Sequence, residues 1–225
     1  MKINIKNFYC IEALIESNPE IIEFINVPNP EDKKISKLTV KAKQSGIKIH
    51  NKSKDFYAAC KEPAVRDIKS ANYEIGKSVL IFDEVQDTRN LGSCLRTASF
   101  FGVNSIIIPK NNSADFNNSA VIETSTGGIY DLDLYKVANI SQTIKKLKEN
   151  NYWVTGFSEH AKKDINTLLP SEKNVFVFGN EQKGIKQLVL KNCDEVLKIK
   201  QIGQTSSLNI SIAAAIATYT LTNKI

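Results

Sequence analysis

The sequence predicts an α/β protein built on a parallel sheet with helices on both faces, preceded by a small α/β domain. Two observations lead to this prediction. From residue 77 onward, short apolar runs alternate with segments of helical length, and the buried strands of parallel sheets are apolar almost throughout. The chain of 225 residues, 42% of them apolar, is also long enough to bury a large core.

Residues 1–70 are predicted to form the small domain, in which one helix lies between strand-like runs at residues 21–27 and 47–50. Pro30 is typical of a helix start and Gly46 of a helix end. Three lysines recur at every fourth position and form one basic face of this helix. They are Lys33, Lys37 and Lys41. Such a face is either ordinary solvated surface or a contact for RNA, and both interpretations stay open.

The polar stretch 61–78 has no clear periodicity and is interpreted as the domain junction, with a linker at residues 71–76. The second domain is predicted to cover residues 77–225. Its strand-like segments are SVLIFDE, NSIIIP, YWVTGF, NVFVFG and EVLKI. Its helical segments are LGSCLRTASFFG, QTIKKLKEN, IKQLVLKN and an alanine-rich C-terminal helix. This alternation is the pattern of a doubly covered parallel sheet.

The overall composition excludes several classes of protein. The net charge of +6 is spread along the chain, which suits a phosphate-bearing partner or an ordinary soluble protein. The four cysteines form no CxxC pair and only two histidines are present, so we expect free thiols and no metal site. No segment looks like a signal peptide, and no apolar run approaches the ~20 residues of a membrane span. We therefore expect a cytoplasmic protein.

Ligands of open parallel sheets bind at the carboxyl ends of the strands, and three polar segments follow strands here. In the first segment, Asn90 is predicted to cap a helix that begins at Leu91. Arg96 is the single charged residue on that helix, which is otherwise apolar or small. By itself, Asn90 is explained by capping and Arg96 by an exposed or paired cation.

The second segment follows the strand NVFVFG and contains Gly179 and Glu181, with Gly184 permitting a further turn. An acidic residue at this position is explained equally well by the dipole of the next helix. In the third segment, Ser206 or Ser207 is predicted to cap the last helix. Asn209 would then lie inside that helix, where asparagine has no propensity advantage, so capping leaves it unexplained.

The order and spacing of these segments resemble one family. The strings NLGSCLRTA, GNEQKG and SLNIS are similar to the three motifs of the SpoU (TrmH-like) RNA ribose 2′-O-methyltransferases, and the resemblance covers about residues 77–225. Residues 1–70 resemble the small N-terminal substrate-binding domain of the members that modify ribosomal RNA. The chain departs from the family at Thr88, where proline is usual, and at Lys200 and Gln201, where Pro-Met is usual.

The resemblance implies an S-adenosylmethionine-dependent homodimer with a C-terminal trefoil knot. It implies a cofactor site lined by Gly179, Ile199 and Leu208. The residues it assigns to catalysis are Arg96, Asn90, Glu181, Ser207 and Asn209. The basic helix face of Lys33, Lys37 and Lys41 is the expected RNA contact. Since a guanidinium stays charged, we expect Arg96 to grip a neighbouring phosphate and to stabilise developing alkoxide charge.

The predicted activity is methylation of a ribose 2′-hydroxyl in structured RNA, with ribosomal RNA favoured. Two alternatives stay open: a transfer RNA 2′-O-methyltransferase, and a non-catalytic RNA-binding protein with the same fold. A dinucleotide enzyme is disfavoured because no GxGxxG follows a strand. A hydrolase acting through Cys94 or Ser207 is disfavoured because neither residue has a histidine nearby in sequence.

Overall fold

The computed structural model describes residues 2–29, 31–205 and 207–224, which form two β-sheets with their helices. The elements of the N-terminal part are β1 (Lys2–Ile5), α1 (Phe8–Ser17), β2 (Ile22–Asn26), α2 (Lys33–Gln44), β3 (Lys48–His50) and β4 (Tyr57–Lys61). The strands of the second part are β5 (Val65–Arg66), β6 (Ser78–Asp83), β7 (Ser105–Pro109), β8 (Asp133–Val137), β9 (Trp153–Phe157), β10 (Lys163–Asp164), β11 (Asn174–Gly179) and β12 (Glu195–Lys198). Its helices are α3 (Thr88–Phe100), α4 (Ser119–Thr124), α5 (Ile140–Glu149), α6 (Gln187–Leu190) and α7 (Ile210–Thr222).

The first sheet has four strands in the order β1-β4-β2-β3, with β2 and β3 parallel and the other neighbours antiparallel. The one helix predicted for this domain corresponds to α2, and α1 was not predicted. The prediction that this helix begins at Pro30 was wrong, and Pro30 itself lies outside the described residues. Helix α2 begins at Lys33 because the Asp32 carboxylate accepts hydrogen bonds from the backbone of Lys34 and Ile35, at 2.8 and 3.2 Å. The helix ends as predicted before Gly46, which adopts φ +77°.

The second sheet contains eight strands in the order β10-β12-β9-β11-β6-β7-β8-β5, and every neighbouring pair is parallel. Helices α3, α4 and α7 share one buried cluster with one face of this sheet, and α5 and α6 share another with the opposite face. The predicted α/β architecture, with a parallel sheet covered on both faces, is therefore confirmed. The C-terminal knot stays a prediction.

Several elements of this part differ from the sequence interpretation. Strand β8 and helix α4 lie between NSIIIP and QTIKKLKEN, where the sequence interpretation places no strand or helix, because short elements with few apolar residues show too little periodicity. The segment IKQLVLKN forms only the single turn α6. Within the predicted junction, β5 forms the edge strand of the large sheet, and Ile75 is buried against the same sheet.

The two parts of the chain pack directly against each other. The Glu123 carboxylate of α4 accepts hydrogen bonds from the backbone of Lys6 and Asn7, at 2.6 and 3.2 Å. Leu14 of α1 lies against Gly127, where an added Cβ would come within 2.8 Å of the leucine side chain. One continuous buried cluster therefore joins the N-terminal helices to the large domain.

Candidate functional site

A cavity of about 910 Å³ opens at the carboxyl ends of strands β9, β11 and β12. Parallel strands end at one edge of the sheet, so the loops that follow them meet there. Seven of the eight residues that the sequence assigned to catalysis or cofactor binding line this cavity. They are Asn90, Gly179, Glu181, Ile199, Ser207, Leu208 and Asn209.

A chain of side-chain hydrogen bonds joins the three motifs along one wall of the cavity. Asn209 Nδ2 donates to Asn90 Oδ1 at 2.9 Å, and Asn90 Nδ2 donates to Glu181 Oε1 at 3.0 Å. Asn209 Oδ1 accepts from the backbone N–H and the hydroxyl of Ser211, at 2.8 and 2.6 Å. A backbone donor at one end and a carboxylate acceptor at the other determine which way both amides face. The chain therefore has one direction, from Asn209 to Glu181.

The structure corrects the capping assignments of two of these asparagines. Helix α3 begins at Thr88 and is capped by Asp87, whose carboxylate accepts from the backbone of Arg89 and Asn90 at 2.8 and 2.9 Å. Asn90 is therefore inside the first turn, and its side chain is free to face the cavity. Asn209 does the capping predicted for Ser206 or Ser207, so it precedes α7 rather than lying within it. Ser206 lies outside the described residues.

The loop after β11 is held closed by its own backbone. Asn180 and Gly184 exchange two backbone hydrogen bonds, at 2.8 and 3.1 Å, and Gly184 adopts φ +67°. A Cβ at Gly179 would overlap the backbone of Gly184 and Ile185. Gly179 is therefore required to bring the two arms of this loop together.

Three charged residues that the sequence analysis missed hold the same loop from behind. Asn180 Nδ2 donates to the backbone carbonyl of Glu84 at 2.9 Å, and the Asp83 carboxylate accepts from the backbone of Lys186 at 3.1 Å. Glu84 pairs with the Lys186 ammonium at 2.7 Å and accepts from Asn112 at 3.0 Å. Asp83 ends β6 and Glu84 follows it, and this position at the end of the run SVLIFDE is the signal that could have identified both acids.

These contacts shift the pKa values of the two carboxyl groups in opposite directions. Burial raises the pKa of Asp83, which is only 2% exposed, against the opposing effect of Lys186. Hydrogen bonds from Lys186 and Asn112 lower the pKa of Glu84. The Glu84 carboxylate is therefore charged at neutral pH and holds Lys186 in place.

Part of the cavity lining is apolar. Leu197, Ile199 and Leu208 line it, and the rings of Phe157 and Phe178 stack at 5.0 Å beside them. Leu208 is 51% exposed, so much of its apolar surface is accessible at the cavity. Such a combination of apolar surface and a few directed polar groups is typical of a small-molecule site.

Arg96 does not lie in this cavity. Its exposed side chain lines a separate depression of about 220 Å³ on the outer side of α3, together with Ser99, Phe100 and Asp131. Ser99 donates to Asp131 there at 2.7 Å. Phe100 beside it is 81% exposed. Within one copy of the chain, Arg96 therefore lies apart from the other motif residues, which line the large cavity.

The basic face of α2 is only partly free. Lys41 pairs with Glu16 and Glu12 of α1, at 2.7 and 3.3 Å, and these hydrogen bonds raise its pKa. Lys33 and Lys37 are exposed and make no ion pair within residues 2–29, 31–205 and 207–224. Of the three predicted RNA contacts, Lys41 has its charge largely neutralised by neighbouring acids.

Two classes of feature are absent from the part of the chain that the structure describes. Among those residues, no group of three or more His, Cys, Asp or Glu side chains is arranged to hold a metal ion. None of the described helices combines the length and the apolar character needed to cross a membrane. All four cysteines are free, and Cys10, Cys60 and Cys94 are buried.

Residues 77–219, which carry all the cavity residues named above, match the model of the SpoU rRNA Methylase family. The chain belongs to the SpoU family. An uncharacterized tRNA/rRNA methyltransferase of Archaeoglobus fulgidus is 33% identical over 223 residues, which covers 95% of each chain.

Solved SpoU-type structures resemble the whole chain. The SpoU methyltransferase AviRb from Streptomyces viridochromogenes, in complex with S-adenosylmethionine, superposes with a TM-score of 0.77 at 18% identity. That match covers 99% of this chain and 90% of AviRb. An RNA 2′-O ribose methyltransferase superposes with a TM-score of 0.74 at 19% identity, covering 99% of this chain and 88% of the other. The fold of both parts is therefore shared with this family.

SpoU methyltransferases use S-adenosylmethionine, and the cavity of this member fits that cofactor. Its volume of about 910 Å³ lies in the range of small-molecule sites. The apolar part of the lining suits an adenine ring and a thioether chain, and Gly179 allows the loop after β11 to close at the edge of the cavity. The protein is thus an S-adenosylmethionine-dependent RNA methyltransferase of the SpoU family.

Proposed function

We propose that the protein methylates a ribose 2′-hydroxyl in structured RNA, and that ribosomal RNA is its substrate. The observation that carries this proposal is the hydrogen-bond chain from Asn209 through Asn90 to Glu181. It assembles all three family motifs on one wall of the cofactor cavity. The description of the matching family and the N-terminal domain both favour ribosomal RNA.

Gly179, Ile199 and Leu208 would hold the cofactor, the glycine through its backbone and the other two through apolar contact. S-adenosylmethionine supplies an electrophilic methyl group on a sulfonium when bound. The residues of the chain must then present the ribose hydroxyl in line with that methyl group and accept its proton. Lys183 and Lys200 also line the cavity, where their charges suit the phosphates flanking the target ribose.

Asn90, Glu181 and Asn209 are assigned to orienting the ribose. Their amide and carboxylate groups are hydrogen-bonded to one another, so a substrate that contacts one of these side chains also affects the orientation of the other two. Ser207 lines the cavity two residues before Asn209 and would donate or accept at the same edge. Preorganised polar groups of this kind are effective because they need no rearrangement as charge develops.

Arg96 reaches the reacting hydroxyl in this proposal only through a second copy of the chain. It lies on an exposed face of α3 and α7 that includes three large apolar side chains, a composition typical of a dimer interface. They are Phe100 (81% exposed), Tyr219 (56%) and Ile212 (50%). A homodimer formed through this face would cover them and bring the Arg96 of each subunit to a phosphate bound at the other subunit's cavity.

The proposal is tested by incubating the purified protein, S-adenosylmethionine carrying a labelled methyl group, and either ribosomal or transfer RNA. After digestion to nucleosides, mass spectrometry identifies the methylated position. The expected product is a 2′-O-methylnucleoside from ribosomal RNA. A methyl group on a base would refute ribose specificity, and labelling of transfer RNA alone would refute the substrate.

Two other functions are tested by the same material. The relative from Archaeoglobus fulgidus is named for both transfer and ribosomal RNA, which keeps a transfer RNA substrate as the second candidate. A non-catalytic RNA-binding protein would bind RNA and show no heat of binding for S-adenosylmethionine in calorimetry. The proposed enzyme would act in the cytoplasm, where both RNAs occur.

A further inference from the structure

The outer face of the N-terminal sheet carries a cluster of aromatic side chains. Phe24 of β2 and His50 of β3 stack with their ring centroids 4.3 Å apart and their planes at 26°. Tyr57 of β4 meets Phe24 edge-on, at 6.0 Å and 70°. All three side chains are half-buried, so their rings are partly accessible to solvent.

This face is the one turned away from helices α1 and α2. Along β2 and β4, Ile25, Ala58 and Cys60 belong to the buried cluster that contains both helices. Side chains alternate along a strand, so Phe24, Tyr57 and Ala59 point to the opposite side. Phe24 and Tyr57 belong to neither of the two buried clusters found among the described residues.

Lysines share the same face. Lys48 is paired in register with Phe24, and Lys2 is paired with Lys61 on the adjacent strands β1 and β4. Lys2 also forms an ion pair with Glu23. Lys48 and Lys61 are exposed and make no ion pair in the described part of the chain. The face therefore carries a positive surplus around its three rings.

We propose that this surface, here called the aromatic face, binds unpaired nucleotides of the RNA substrate. Accessible rings on a sheet provide stacking platforms for splayed bases, and lysines beside them contact the phosphates. Ala59, which is paired in register with Phe24, contributes only a methyl group to this face. The inference rests on the proposed function only for the identity of that RNA as the methyl acceptor.

The charge of the face decides between RNA and other occupants. A second copy meeting this face through a twofold axis would place Lys48 and Lys61 against the same lysines, which is unfavourable. Helix α2 lies on the other side of the sheet, so binding here would be independent of Lys33 and Lys37. RNA contact through the sheet and RNA contact through the helix can therefore be separated by mutation.

The test measures the binding of a short fluorescein-labelled RNA of mixed sequence by fluorescence anisotropy, as a single strand and annealed to its complement. Phe24→Ala is expected to weaken binding of the single strand about tenfold and to change binding of the duplex little. Tyr57→Ala acts in the same direction. Tyr9→Ala is the matched control, since it removes an aromatic ring that is 66% exposed on α1 of the same domain.

Lys48→Glu tests the proposal without altering ring packing, should Phe24→Ala destabilise the domain. It is expected to weaken single-strand binding and to reduce the salt dependence of the affinity. The proposal is overturned if Lys48→Glu and Tyr57→Ala both bind the single strand as the unmodified protein does. It is equally overturned if Phe24→Ala changes the sedimentation behaviour of the protein and leaves RNA affinity intact, because the face would then join two copies.

Failure of the proposed enzymatic function is recognised separately. Calorimetric titration with S-adenosylmethionine and the nucleoside assay report on the cavity, which the aromatic-face variants do not touch. Loss of methyl transfer with intact cofactor affinity and weakened single-strand binding supports the aromatic face. Normal single-strand binding through this face by a protein that methylates no RNA would contradict the enzymatic proposal and leave the binding surface established.

Discussion

Asn209 both caps helix α7 and takes part in the hydrogen-bond chain, and two substitutions distinguish these roles. Its Oδ1 caps helix α7 through Ser211, and its Nδ2 donates to Asn90 in the hydrogen-bond chain. Asn209→Ala removes both contacts, whereas Asn209→Asp keeps a capping oxygen and replaces the donor with a second acceptor facing Asn90 Oδ1. In this variant, Asn90 Nδ2 could donate to the new carboxylate only by giving up its hydrogen bond to Glu181 Oε1.

The expected magnitudes follow from these contacts. Loss of an N-cap costs about 1 kcal/mol, which for a chain of this size lowers Tm by roughly 2–4 °C. Asn209→Ala should show that decrease in thermal denaturation, and Asn209→Asp should not. Loss of the neutral amide hydrogen bond to Asn90 costs about 0.5–1.5 kcal/mol, so Asn209→Ala should lose roughly two- to tenfold in kcat/KM for methyl transfer. Asn209→Asp also draws Asn90 away from the Glu181 carboxylate, a bond to a charged group that contributes about 1.5–3 kcal/mol, so it should lose roughly ten- to a hundredfold.

The comparison of the two variants contains its own control. Asn209→Asp retains the helix start and should match the unmodified protein in Tm and in circular dichroism. If Asn209→Asp retains full methyl transfer, the hydrogen-bond chain does not orient the substrate. If instead its activity falls only in proportion to a lowered Tm, Asn209 is a structural cap and the reasoning from the chain is wrong.

Three further predictions concern the cavity and its surroundings. Gly179→Ala should weaken S-adenosylmethionine binding at least about tenfold in calorimetry, because overlap with a close backbone costs about 1–3 kcal/mol. Gly203→Ala, where an added Cβ meets nothing within 4 Å, should change binding little, and equal effects would contradict the steric argument. Glu84→Gln should reduce the free energy of unfolding at neutral pH, since the pKa of Glu84 is lowered in the folded state. The stabilisation is present above the ordinary pKa of 4.5 and is lost as the pH falls below it, so the variant and the unmodified protein should converge in acid, and a constant difference would refute the assignment. Arg96→Ala should lower kcat about 10²- to 10³-fold with unchanged cofactor affinity, and near-full turnover would remove Arg96 from the mechanism.

The large domain could be predicted closely from the sequence because its information is local. Each buried parallel strand is a continuous apolar run, and the helices between them show a 3.6-residue stripe, as in Leu91, Leu95 and Ala98 of α3, all fully buried. The motif strings identified the family, and the matching model confirms it over residues 77–219. Short elements such as α4 escaped because one or two turns show no period.

Helix starts were predicted less well because neighbouring polar residues compete to cap the same helix. Helix α2 is capped by Asp32 rather than by the Asn29–Pro30 pair. Helix α3 is capped by Asp87 rather than by Asn90, and helix α7 by Asn209 rather than by a serine. Each of these side chains has the chemistry of a cap, so the chain path into the helix decides which one lies within reach of the free backbone N–H groups. The two asparagines exchanged roles for this reason.

The sequence by itself determined the class of fold, the family and the residues from which the cavity is built. Only the tertiary structure decided how those residues meet: Asn90 is 91 residues from Glu181 and 119 from Asn209, and the carboxyl ends of the parallel strands bring all three together. It also placed Arg96 on the opposite side of α3 and set Phe24, His50 and Tyr57 side by side on an outer sheet face. Strand register and helix orientation create these contacts between residues distant in sequence, and local periodicity carries no information about them.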